Sequence, residues 1–100
     1  MWQDYVIDLE QIRVQNVIFE PGARTDWHAH PDGQVILVTA GEGRIETVAD
    51  GVVTLRAGDV IYAPPDEAHW HGAGADTSAV LMAFSLGRQP RWGDAKHPPE

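Results

Sequence analysis

The sequence predicts an all-β fold, a sandwich or barrel of short strands. Three observations predict it. Short apolar runs rich in β-branched and aromatic residues recur along the chain. Turn signals separate them: Glu20-Pro21-Gly22, Gly41-Glu42-Gly43, Asp50-Gly51, Gly58-Asp59 and Pro64-Pro65-Asp66. No stretch sustains a helical period, and only Asp8 to Val14 offers as much as one helical turn.

A short strand is expected at Tyr5 to Leu9 and a clear one at Val14 to Phe19, which the Pro-Gly turn ends. Gln34 to Ala40 is the next strong strand. Gly41-Glu42-Gly43 breaks it, and Arg44 to Val48 resumes. Asp50-Gly51 between two β-rich runs is the strongest short-range hairpin signal in the chain, with Val52 to Leu55 returning. Val60 to Ala63, Ala68 to Gly72 and Ser78 to Leu86 complete the set. Residues 1–87 therefore read as one domain. The Pro-, Gly- and charge-rich segment 88–100 reads as a C-terminal tail, poorly ordered or draped over a neighbour.

The bulk composition narrows the function. At 100 residues the chain holds one domain with a thin core, which a metal ion or a partner subunit would reinforce. A formal net charge of −8 argues against nucleic acid and anionic membranes as partners. The sequence has no cysteine, which excludes disulfides, thiolate metal sites and cysteine nucleophiles. A secreted domain of this size commonly carries disulfides, so a cytoplasmic location is expected. Met1 to Glu10 lacks a basic segment followed by an apolar run, so no signal peptide is expected. Val35 to Val38 is far too short to span a bilayer.

Four of the five histidines form two tight pairs, His28/His30 and His69/His71. On a strand, residues i and i+2 face the same side, so each pair turns two imidazoles to one face. Gln34 follows the turn Pro31-Asp32-Gly33, and its strand is expected to run back beside the His28–His30 segment. That hairpin brings three N/O ligands to one point, and His69 from a distant strand completes them. A single His-x-His pair is more often surface or core decoration than a metal site. Two pairs in so short a domain change that balance, because burying four unpartnered imidazoles costs several kcal/mol. The remaining histidine, His97, lies in the tail and is given no role.

The spacing Gly22-x5-His28-x-His30-x3-Gln34-x6-Gly41 resembles the first cupin motif, with Gln34 where Glu is usual. Gly58-x5-Pro64, followed by His69, resembles the second. Asp66 stands where that motif usually has Gly, and Ala73 where it usually has Asn. Asp tolerates turn geometry, so the fold is not threatened. The strings Phe19 to Thr25, Trp27-His28-x-His30-Pro31, Gly33-Gln34 and His69 to Ala73 are similar to one group of small cupins. Its members accompany carboxymuconolactone decarboxylases, and some are manganese-dependent hydroxynitrile lyases.

The resemblance implies a cupin double-stranded β-helix (jelly-roll barrel) and a homodimer. It implies His28, His30, Gln34 and His69 as ligands of one divalent transition metal, with His71 as the acid–base residue. Manganese is favoured by the resemblance. The N/O ligand set itself also suits iron, nickel, cobalt or zinc. The lyase members carry a further pocket histidine on the last strand, where this chain has Leu81. Three imidazoles and an amide leave the ion its full charge, which favours Lewis-acid over redox chemistry. The expected function is thus a lyase, isomerase or decarboxylase acting on a small-molecule substrate. The alternatives are a metal-dependent dioxygenase and a non-catalytic small-molecule- or metal-binding cupin.

Ile36, Val38, Val60, Tyr62, Leu81 and Ala83 are expected on strands that line the cavity or pack the core. Trp27 and Trp70 flank ligands and are expected on the opposite face. Arg24 and Asp26 are candidates for polar support beside the ligands.

Overall fold

We describe a computed structural model of the chain over residues 1–93. The inner face of each long strand grades from apolar to polar, and that gradient places the site. Nine strands form: β1 (Trp2–Asp8), β2 (Ile12–Phe19), β3 (His28–Ala29), β4 (Gln34–Thr47), β5 (Gly51–Arg56), β6 (Val60–Ala63), β7 (His69–Ala73), β8 (Ala79–Leu86) and β9 (Arg91–Trp92). Every pairing is antiparallel. The hydrogen-bonded order is β1-β2-β8-β4-β7-β3-β9, with β5 and β6 also on β4. No helix occurs among the described residues. The turn of helix considered for Asp8 to Val14 is instead a tight β1–β2 connection, closed by Leu9 N–H donating to Ile12 O at 2.9 Å.

The sheet curls because β4 belongs to both halves. Its first part pairs with β8 and β6, and its second with β7 and β5. The sequence places a break at Gly41-Glu42-Gly43, whereas the strand runs through it unbroken. A bulge between Val38 and Ala40 absorbs one extra residue. Gln34, Ile36 and Val38 face inward before it, and Gly43 and Ile45 after it, so the bulge inverts which parity is buried. Gly41 is required here for two reasons. Its φ is +75°, and a Cβ would sit against the Ser78 carbonyl, closer than Cβ atoms approach.

The core occupies one end of the barrel. Phe19, Ile36, Leu55 and Leu81 are its largest fully buried side chains, joined by Val17, Val38, Ile45, Ala73 and Ala79. Toward the other end the same faces turn polar. Arg13 and Gln15 precede Val17 and Phe19 on β2, Gln34 precedes Ile36 on β4, and Ser85 follows Leu81 and Ala83 on β8. The Asp50-Gly51 hairpin forms as expected, with Asp50 N–H donating to Thr47 Oγ1 at 3.0 Å. Asp66 adopts a φ of +63°, which is why a non-glycine residue there must be one that tolerates left-handed backbone.

Val60 and Tyr62 do not line the cavity. They are 61% and 59% exposed, because β6 turns Ala63 inward and these two outward. Residues 88–93, read from sequence as the start of a tail, fold back on the barrel. Arg91 and Trp92 pair with Ala29 and His28, and Arg88 grips Asp32 through its Nη2 at 2.9 Å. The rest of that segment, including His97, lies outside the described residues.

Gly41→Ala and Gly51→Ala separate the two demands on glycine. At Gly51 φ is +70° and a Cβ meets nothing within 4 Å, so the cost is about 1–2 kcal/mol of backbone strain. Gly41→Ala adds the clash with Ser78 and is expected to lower the urea midpoint clearly further. Equal midpoints for the two variants would contradict the close packing at the β4 crossover.

Candidate metal centre

His28 and His69 stand directly opposite each other in the β3–β7 pair, with ring centroids 4.4 Å apart. Each ring is oriented in the same way. His28 Nδ1–H donates to Asp26 O at 2.9 Å, and His69 Nδ1–H donates to Glu67 O at 3.2 Å. A carbonyl on Nδ1 fixes the tautomer and leaves Nε2 with a bare lone pair. His30 follows on the same face, 5.0 Å from the His28 ring. Its backbone carbonyl is clamped by Gly33 N–H at 3.1 Å and Asp66 N–H at 2.9 Å, which holds the turn after β3. One ring nitrogen from each of His28, His30 and His69 lies within 4.8 Å of the others. All three side chains are buried.

Gln34 joins them from the start of β4. Its Nε2 donates to Ser85 Oγ at 3.1 Å, so Oε1 is the end that meets His69 Nε2, at 3.0 Å. The route differs from the sequence expectation. β4 does not pair with β3, whose neighbours are β7 and β9. Gln34 arrives across the barrel mouth, from the opposite half of the curled sheet. With Nδ1–H of His69 committed to Glu67, both atoms of the Gln34–His69 contact are acceptors. Two lone pairs aimed at one place form an arrangement that a cation satisfies.

The electrostatics point the same way. Burial pushes the pKa of His69 down to about 4 and of His30 down to about 3, with the neighbouring imidazoles adding to both. His28 is lowered by burial too, with its bond to the Asp26 carbonyl opposing. The rings are therefore neutral and able to ligate near pH 7. Both ring nitrogens of His30 lack a hydrogen-bond partner. Leaving such groups dry costs about 1–3 kcal/mol each. The donor set thus fits a divalent transition metal.

His71 shares the inner face of β7 with His69 and lies 5.1 Å from the His28 ring. Its Nδ1 has no partner, and burial holds its pKa well below the ordinary value. Phe19 packs edge-on against it at 5.9 Å. Gln34, His28, His30 and His71 all face a cavity of about 200 Å³.

Thr25 was not singled out by the sequence. Its Oγ1 accepts the His71 N–H at 3.2 Å and lies 3.5 Å from His28 Nδ1, tying the two histidine segments together. Ser85, Arg13 and Trp92 were missed as well. For Ser85 the signal was present, since it continues the inward parity of its strand; Arg13 lies before the strand expected at Val14 to Phe19, and β2 begins earlier, at Ile12. The Trp92 indole lies tilted against His28, with ring centroids 4.6 Å apart, and no local pattern announces it. Asp26 supports the site through its carbonyl. The Arg24 guanidinium covers Trp70, 4.7 Å from its ring centroid. Trp70 donates to Glu46 there at 2.7 Å.

A histidine cluster in the mouth of a curled antiparallel barrel defines a class of small metal-competent β-barrels. Comparison with known proteins specifies it. The family model for the cupin domain matches residues 15–85, and the chain belongs to the cupin family. The (R)-mandelonitrile lyase of Granulicella tundricola is 47% identical over 69 residues, covering 69% of this chain and 53% of that protein. The chain thus spans about half the length of this curated relative. A cupin-like protein from Thermotoga maritima superposes with a TM-score of 0.90 at 34% identity, over 96% of this chain and 77% of that one. The DMSP lyase DddQ of Ruegeria pomeroyi shares the fold with a TM-score of 0.82 at 16% identity, over 96% of this chain and 53% of that one.

Acid titration checks the neutral cluster. Unfolded histidines titrate near 6.5, and these fold with lower values. Their contribution is complete above pH 6.5 and is lost as pH falls toward about 4 for His69 and about 3 for His30. Metal-stripped protein is expected to lose up to about 1.4 kcal/mol per pH unit for each such histidine in that window. His30→Phe should flatten the slope by about one proton. An unchanged slope would show that His30 titrates normally.

Proposed function

We propose that the protein is a divalent-metal-dependent lyase that breaks a C–C bond beside a hydroxyl group in a small molecule. The observation that carries this reading is the convergence of three buried, uncharged histidines, His28, His30 and His69, on one point beside a cavity that His71 also borders. In this reading His28, His30, Gln34 and His69 hold the ion, and manganese is the first metal to test. A bound dication supplies Lewis acidity that stabilises negative charge on a substrate oxygen.

The chain's own residues move the proton. His71 borders the cavity and burial keeps it neutral, so it can take the hydroxyl proton of a substrate there. For a 2-hydroxynitrile, the bond between the carbinol and nitrile carbons then breaks. The products are a carbonyl compound and cyanide, and His71 returns the proton to cyanide. Thr25 fixes the backbone of His71, and Phe19 fixes its ring. Leu81 is fully buried in the core, on the strand where the lyases of this resemblance carry a further histidine. The acid–base role therefore falls on His71 alone.

The name of the Granulicella relative supports this reaction class. The reading includes a homodimer, supported by the edge strand β1, whose Trp2, Tyr5, Val6 and Ile7 are all exposed. It also includes a cytoplasmic location, consistent with the absence of cysteine.

Mandelonitrile cleavage by manganese-loaded protein tests the proposal. We expect benzaldehyde release, and we expect His71→Ala to keep its metal while losing about 10²–10⁴-fold in rate. Full turnover in metal-loaded His71→Ala would remove the residue from the mechanism. Oxygen uptake without cleavage of any 2-hydroxynitrile would point to a dioxygenase instead.

A further inference from the structure

The cavity holds one charge that this chemistry leaves unused. Arg13 lies on the inner face of β2, in line with Gln15 and Val17, and reaches the same space as the histidines. It is only 6% exposed. Its Nη1 donates to Gly87 O at 2.8 Å and its Nη2 to Arg88 O at 3.2 Å. These bonds fix the guanidinium, but a carbonyl carries no charge to balance it. Among the described residues no carboxylate pairs with Arg13, and nearby Asp32 is taken by Arg88. A guanidinium has five N–H donors, so the two bonds leave others for a ligand. Buried charges are ordinarily paired.

The rest of the lining sharpens the point. The chain has 15 acidic residues and a net charge of −8. Yet no Asp or Glu is among the described residues that line this cavity. Its other polar groups are neutral imidazoles, amides and hydroxyls. Met1 reaches the rim, but its ammonium is held by Glu20 at 2.7 Å. Arg13 also borders a neighbouring hollow lined by Asp8, Glu10 and Asp32, but on the histidine side it is the one charged side chain among the described lining residues. Val17, Ala83, Pro90 and Trp92 give the same cavity an apolar wall.

We infer that the cavity takes a small carboxylic acid with an apolar or aromatic body, and that Arg13 is the counter-charge for its carboxylate. Arg13 is then a specificity-determining residue. The inference rests on the cavity being the substrate pocket proposed above, and it names the substrate class. A 2-hydroxynitrile that also bears a carboxylate satisfies both.

Calorimetric titration of chelator-stripped protein with mandelate and with mandelamide tests this, because the probes share a shape and differ in charge. Mandelate is expected to bind at least tenfold more tightly. Arg13→Met should bring the ratio near one, and Arg13→Lys should keep part of it. A ratio near one in the unmutated, stripped protein would overturn the inference. So would an unchanged ratio in Arg13→Met. A preference that appears only after manganese is added would also overturn it, while leaving the metal-centre reading intact. A preference in stripped protein that takes up no metal would uphold the inference and sink that reading.

Discussion

Four imidazoles buried without charge are the constraint on which the rest of this small barrel depends. Each needs to be dry, neutral and held at a fixed angle. Water would satisfy the rings individually, and burial removes it. The chain answers with backbone. Asp26 and Glu67 each lend a carbonyl to the histidine two residues on, and Thr25 joins the two segments. What the backbone leaves open, at His30 and at the facing acceptors of Gln34 and His69, is the space a cation fits. The cluster is therefore a buried polar core with the donors to take a ligand, not a surface decorated with histidines.

The barrel meets this constraint by separating its two ends. Phe19, Ile36, Val38 and Leu81 supply the apolar packing at one end, and the same strands carry polar residues to the other. β4 makes the separation possible. By crossing from one half of the sheet to the other through a bulge, it delivers Gln34 to the mouth and Ile45 to the core. The β9 segment then closes the mouth over His28 with Trp92.

Much of this was legible in the sequence, and what was not has identifiable causes. The hairpin at Asp50-Gly51, the left-handed turn at Asp66 and the inward parity of both His-x-His pairs are local, and local chemistry decides them. The other features were hidden because they depend on distant partners. The parity switch in β4 comes from one bulged residue, and Gly41-Glu42-Gly43 reads as a break until Ser78 is placed against it. Gln34 was expected beside β3, but strand neighbours are set by closure of the sheet, which put β7 and β9 there. Val60 and Tyr62 read from sequence as cavity-lining or core residues, and their strand turns them to solvent. Arg13 falls just before the strand expected from Val14, in the segment read as a possible helical turn, and only the closed barrel shows it buried.

Elemental analysis of untagged protein, purified without added metal, tests the central claim most directly. The account predicts about one equivalent of a divalent transition metal per chain, lost in His30→Ala. Absence of metal as purified, together with no uptake on titration, would contradict it. The four buried imidazoles would then have to be satisfied by something other than an ion.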